Sequence, residues 1–178
     1  MKRFLFVLIT VLSIELCGTN SHVAAEEGSA GQSGIQMPKE ARSAPDFLLK
    51  DIEGNLTGSG SYQGKVVLVH FWATWCGPCK DELPTINALW ERFRDREFAI
   101  IAIAEDSKKA VEPYIKEHGL KFPVVIDQYG KAFRSYGVRA LPTSYIVDKR
   151  GRIEGIAIGQ RDWIASDILK LIERLLKE

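Results

Sequence analysis

From Val66 to Trp72 the chain runs apolar and β-branched, broken by His70 alone. A run with no polar face suits a central strand covered on both sides, not the edge of an open sheet. It is followed closely by residues 78–94, whose composition is helical and whose Leu83, Ile86, Leu89, Trp90 and Phe93 share one face. A buried strand feeding an amphipathic helix commits the chain to a layered α/β architecture. Pro84 inside that helix removes one backbone donor and is expected to kink it.

The remaining pattern continues the alternation. Strands are expected over residues 46–51, 98–104, 122–126, 143–147 and 152–158. The first turns at Glu53-Gly54-Asn55, and the last two form a hairpin around Asp148-Lys149-Arg150-Gly151. Helices are expected over 107–118, capped by Ser107, and over 130–136. Ile164, Ile168, Leu171, Ile172 and Leu175 form a final helical stripe that should pack on the sheet. No internal repeat is evident, and the sum is one α/β domain with a mixed sheet.

Ahead of this domain the sequence changes character. Lys2 and Arg3 precede a short apolar run over 4–14, and Val23-Ala24-Ala25 then fits a cleavage site, so residues 1–25 read as an export signal. The run is about half of what a membrane span needs. Cys17 lies near it, but Ile14-Glu15-Leu16 is a poor context for lipid attachment. Residues 26–44, rich in Gly, Ser, Gln and Ala, read as a flexible linker, and 45–178 as the folded domain. With 46% apolar and 26% charged residues and a net charge of +1, the 178-residue chain is neither disordered nor a nucleic-acid binder.

Removal of the signal leaves two cysteines, Cys76 and Cys79, where the central strand gives way to the helix. Cysteines three apart on a first helical turn lie close enough to bridge. The first sits where unpaired N–H groups and the helix dipole favour an anion, so Cys76 is expected to be the attacking thiolate. Cys79, one turn inside, would resolve the mixed disulfide. Pro78 at the helix start costs no hydrogen bond. Two other readings compete. A purely structural disulfide would close too small a loop to stabilise much, and a zinc site would lack a second ligand pair beyond His70 and His118.

Phe71-Trp72-Ala73-Thr74-Trp75-Cys76-Gly77-Pro78-Cys79-Lys80 strongly resembles the thioredoxin active site. Three further features resemble the exported TlpA/ResA-like thiol–disulfide oxidoreductases, which include cytochrome c maturation proteins. They are the signal and linker ahead of Ala44-Pro45-Asp46-Phe47, the additional helix and strand at 107–126, and the loop Tyr136-Gly137-Val138-Arg139-Ala140-Leu141-Pro142-Thr143. The resemblance implies a thioredoxin-like three-layer sandwich, a mixed central sheet with helices on both faces and an extra helix–strand insert. It implies that Pro142 is cis and faces the disulfide, and that Leu141, Trp75, Gly77 and Pro78 help bind substrate. Trp75 read without the resemblance is a core residue, and Pro142 an ordinary trans turn proline.

Two acid–base positions stay open. Glu82 lies three residues after Cys79 on the same helical face. The resemblance implies that it helps move the proton of the buried thiol; the plainer reading is an acid complementing the helix dipole, as Asp81 is expected to be. His70 stands where thioredoxins carry a buried acid. As a cation it would stabilise a cysteine thiolate, whereas the plainer and preferred reading is a neutral, hydrogen-bonded core histidine.

The function these residues imply is an exported protein disulfide reductase needing no cofactor beyond the Cys76–Cys79 disulfide. Gly77-Pro78 is shared with thioredoxin, a strong reductant at about −270 mV. The resemblance further implies protein disulfide substrates, among them apocytochrome c, a membrane thiol reductase as electron donor, a monomer, and a place in the periplasm or on the outer face of the cytoplasmic membrane. The alternatives are a dithiol oxidase, a thiol peroxidase of the same fold and a non-catalytic binding module. The peroxidase would want a threonine three residues before its reactive cysteine, where this chain has Ala73, with Thr74 one residue too close.

Overall fold

The structure is a computed structural model that describes residues 34–178. The expected signal, Cys17 and the first part of the linker lie outside the described residues. Seven strands form one sheet: β1 (Leu48–Asp51), β2 (Leu56–Gly58), β3 (Val66–Trp72), β4 (Phe98–Ala104), β5 (Val124–Ile126), β6 (Thr143–Val147) and β7 (Ile153–Ile158). Their spatial order is β2-β1-β5-β4-β3-β6-β7. Four helices join them: α1 (Gly77–Phe93), α2 (Lys108–His118), α3 (Lys131–Tyr136) and α4 (Ser166–Lys177). The mixed sheet and its helix layers are the thioredoxin-like arrangement that the sequence implied.

The centre is parallel and the flanks antiparallel. β3 pairs in parallel with β4, which pairs in parallel with β5, while β6 runs antiparallel to β3 and β7 antiparallel to β6. Every residue of β3 and β4 is buried, as their uninterrupted apolar composition requires. Alternation along β3 divides the core in two. Val66, Leu68 and Trp72 face α1, α2 and α4. Val67, Val69 and Phe71 face α3, Phe47 and Tyr62 on the other side.

Local signals place most boundaries. Gly137 ends α3 in the left-handed conformation, which a side chain would disfavour. The β6–β7 turn is fixed by Asp148, whose carboxylate accepts from the Arg150 and Arg152 backbone N–H groups and pairs with the Arg152 guanidinium at 2.7 Å. Pro84 lies inside α1 with its ring exposed, and α1 continues through it to Phe93.

The structure differs from the sequence reading at several points. β2 and the 3-10 turn Ser59–Tyr62 were not expected; both are short, and β2 is an edge strand that exposes Leu56. Ser107 precedes α2 as expected but its hydroxyl makes no cap, and the Asp106 carboxylate takes the Ser107 N–H instead. Ile164 lies outside α4 and is 45% exposed; Trp163, fully buried, takes the core position. The linker reading also needs a narrower bound. Gln36 and Ser43 bridge to Ile156 and Arg152, so residues 34–44 lie along the outer edge of β7. Backbone pairing with an open strand edge needs no apolar pattern, which is why composition gave no hint of it.

Candidate active site

The end of β3 sets the site. After Trp72 the chain turns through Ala73, Thr74 and Trp75, and Cys76 becomes the N-terminal cap of α1. The Cys76 N–H donates to the Ala73 carbonyl at 3.1 Å, and the Cys79 N–H points at the Cys76 sulfur at 3.3 Å. That donor and the helix dipole both favour negative charge on Cys76 once the bond to Cys79 is open. In the structure the two are joined as a disulfide, with Cα atoms 5.3 Å apart. Cys79 is sealed from solvent, whereas Cys76 retains 6% exposure. The two sulfurs are therefore inequivalent, although Cys76 is less open than a solvent-facing thiol.

Around Cys76 lies a groove of about 470 Å³ lined by Trp75, Pro78, Phe133, Arg139 and Leu141. Trp75 is 67% exposed, which corrects the core-packing alternative. Gly77 and Pro78 are exposed beside it, and a side chain at Gly77 would meet none of the described residues within 4 Å. The Leu141–Pro142 peptide is cis, so the trans-turn alternative for Pro142 is also corrected. Thr74 does not turn to the sulfur: its hydroxyl donates to the Asp106 carboxylate.

Behind the disulfide, on the helical side of the sheet, lies a closed polar cluster. Glu82 is buried on α1 and its Oε2 accepts from the Arg161 N–H at 2.8 Å and from Trp163 Nε1 at 3.1 Å. Burial pushes its carboxyl up to about 7, against those two hydrogen bonds and the Arg161 charge. No acid occupies the first turn of α1, which removes the dipole-complementing role considered for Glu82 and Asp81. His70, wholly buried on β3, has Nδ1 2.9 Å from the Ser144 hydroxyl and 3.5 Å from Glu82 Oε1. Burial drives its pKa down to about 3, so the ring is neutral, and the cationic reading fails.

Sequence reasoning missed Ser144, Arg161 and Trp163. Arg161 and Trp163 lie 79 and 81 positions from Glu82 along the chain, so no local spacing connects them. Among the described residues, no group of three or more His, Cys, Asp or Glu could hold a metal ion. None of their helices is long and apolar enough to cross a membrane.

Comparison with known proteins agrees with this geometry. The AhpC/TSA family matches residues 41–156. The thiol–disulfide oxidoreductase ResA of Bacillus thuringiensis subsp. konkukian is 36% identical over 153 residues, covering 85% of this chain and 86% of its own. The crystal structure of StoA from Bacillus subtilis is 30% identical with a TM-score of 0.61, covering 73% of this chain and 97% of its own. A thiol:disulfide interchange protein of the thioredoxin family from Chlorobium tepidum TLS is 28% identical with a TM-score of 0.66, covering 78% of this chain and 99% of its own. With a cysteine pair bonded at the start of α1, a groove at Cys76 that Leu141 of the cis Leu141–Pro142 peptide also lines, and relatives of this kind across most of its length, the chain belongs to the thioredoxin-like AhpC/TSA family as a ResA-type thiol–disulfide oxidoreductase.

Proposed function

We propose that this oxidoreductase acts outside the cytoplasm as a reductase of protein disulfides. The observation that carries this reading is the inequivalence of the two sulfurs: Cys76 borders a groove shaped by an exposed tryptophan, while Cys79 is sealed behind it. In the reduced enzyme the Cys76 thiolate attacks a substrate disulfide, forming a mixed disulfide and releasing one substrate thiolate. Cys79 gives its proton to Glu82 and attacks the Cys76 sulfur. The second substrate sulfur leaves with the electron pair, and the enzyme is oxidised by two electrons. Trp75, Gly77, Pro78, Leu141 and Pro142 form the docking rim.

Residues 1–25 serve as the export signal, placing a monomeric domain in the periplasm or on the outer face of the cytoplasmic membrane. A membrane thiol reductase then restores the dithiol by the same exchange. Apocytochrome c, with its paired cysteines, is the substrate that the resemblance favours. Gly77-Pro78 supports the reducing direction.

Reduction of insulin disulfides by the purified chain, abolished in Cys76→Ser, is the expected result. Unchanged biological activity of Cys76→Ser would leave only the binding-module alternative. A potential above about −150 mV would make the enzyme an oxidase. Mixed disulfides trapped in vivo on Cys79→Ala, identified by mass spectrometry, name the substrates and test the apocytochrome assignment.

A further inference from the structure

The reading above gives Glu82 a proton to accept but leaves His70 without a part. His70 reaches Glu82 from the opposite layer, standing on β3 while Glu82 stands on α1. Its Nδ1 lies between the Ser144 hydroxyl at 2.9 Å and Glu82 Oε1 at 3.5 Å, and its Nε2 has no partner among the described residues. The tautomer follows from that asymmetry. A proton on Nε2 would bury an unpaired N–H donor, which folded proteins rarely tolerate, so Nδ1 carries it. Nδ1–H then donates, shared between Ser144 Oγ and Glu82 Oε1.

The surroundings of Glu82 are unusual for a buried acid. Arg161 N–H and Trp163 Nε1–H, from the segment after β7, occupy Oε2, and the Arg161 charge acts from the same side. Among the described residues Oε1 has no hydrogen bond of ordinary length, and His70 Nδ1 stands 3.5 Å from it. Ser144, on β6, competes for that same His70 proton. Cys79 lies one turn back on Glu82's own helix. Donors therefore surround a carboxyl that must be ionised to take the Cys79 proton, and the hold on one oxygen depends on how His70 divides its single N–H.

We propose that His70 is a positioning residue for the disulfide exchange: it lends its Nδ1–H to Glu82, keeps that carboxylate ionised for its work on Cys79, and is held back from doing so fully by Ser144. The proposal rests on the Glu82 role given above. His70 itself neither gains nor loses a proton in the cycle. The proton released by the Cys79 thiol goes to Glu82, the Cys79 sulfur bonds to the Cys76 sulfur, and the substrate sulfur departs with the electrons. Ser144 and Glu82 thus compete for one histidine N–H, so removing His70 and removing Ser144 act on the carboxylate in opposite directions, which a merely structural histidine would not produce.

The test loads the reduced full chain with 5-thio-2-nitrobenzoate on Cys76 and follows its release by Cys79 across pH. The wild-type rate should show an acid limb centred near 7. His70→Leu should move that limb up by about one pH unit, an about tenfold loss of rate on the limb. Ser144→Ala, which frees the histidine N–H for Glu82, should move it down by about half a unit. Glu82→Gln should abolish the limb; if the limb persists, the Glu82 reading falls and the proposal falls with it. If Glu82→Gln abolishes it while His70→Leu and Ser144→Ala superimpose on wild type, only the His70 proposal is overturned. Should His70→Leu not fold, Ser144→Ala decides alone: a downward shift supports the proposal, and an unmoved or raised limb overturns it.

Discussion

The two faces of the sheet do different work. On one, α1, α2 and α4 cover Val66, Leu68 and Trp72, and the layer encloses Cys79, His70 and Glu82 with almost no access to water. On the other, α3 stands with loops over Val67, Val69 and Phe71, and Val67 and Val69 border a cavity of about 470 Å³. The groove beside Cys76 opens toward this thinner layer, through Phe133 and the loop that carries Leu141. Cys76 and Cys79 both pack into the helical-face core, but Cys76 alone also lines the groove. A thiol-exchange site needs one sulfur that a protein can reach and one whose proton is managed in a dry environment. The unequal coverage supplies both from a single helical turn.

The sharpest way to break this comparison is to exchange the sulfurs' roles. Cys76→Ser should reduce insulin reduction to background, whereas Cys79→Ala should still form mixed disulfides and fail to release them; equal trapping by both variants would erase the distinction. Next in size is the pH dependence of stability. A carboxyl raised to about 7 from 4.5 stabilises the fold below pH 4.5 and loses that contribution as pH rises through 7. A histidine lowered to about 3 from 6.5 stabilises it above pH 6.5 and loses that as pH falls through 3. Between 4.5 and 6.5 the pair's contributions oppose each other, so urea midpoints should be nearly flat there in wild type. Glu82→Gln should then gain stability with rising pH, and His70→Leu should lose it, each by about 2 kcal/mol across the window.

Packing offers a smaller contrast. Val66→Ala, on the helical face, should cost about 2–3 kcal/mol in denaturant unfolding. Val69→Ala, which borders an open pocket on the thinner side, should cost about 1–2 kcal/mol less. Equal losses would mean that the two layers are equally tight. Smallest is Trp75→Ala. Its ring is largely exposed, so stability should change by no more than about 0.5 kcal/mol, while KM for a protein disulfide rises about tenfold. A large loss of stability would return Trp75 to the core.

Legibility in the sequence followed the range of the interactions. β3, β4 and β6 were expected with the bounds they have, because a fully buried strand carries its signal in every residue. The redox pair was equally plain, since its chemistry is written in a four-residue spacing at a strand–helix junction. The edge elements were not. β2 and the stretch over 34–44 are held by backbone pairing, which any side chain permits. Helical periodicity picks out Ile164 and passes over Trp163 because it extends a stripe beyond the point where the helix begins.

Chemical identity and local geometry came from the sequence alone: which sulfurs exchange, which helix supports them, and which strands must be interior, because residue type and short spacing decide these. Only the tertiary structure decided the electrostatic state of the site. Whether His70 is neutral and what holds Glu82 depend on groups from β3, β6 and the segment after β7 converging where bulk solvent does not reach. Desolvation belongs to the packed assembly and to no stretch of chain.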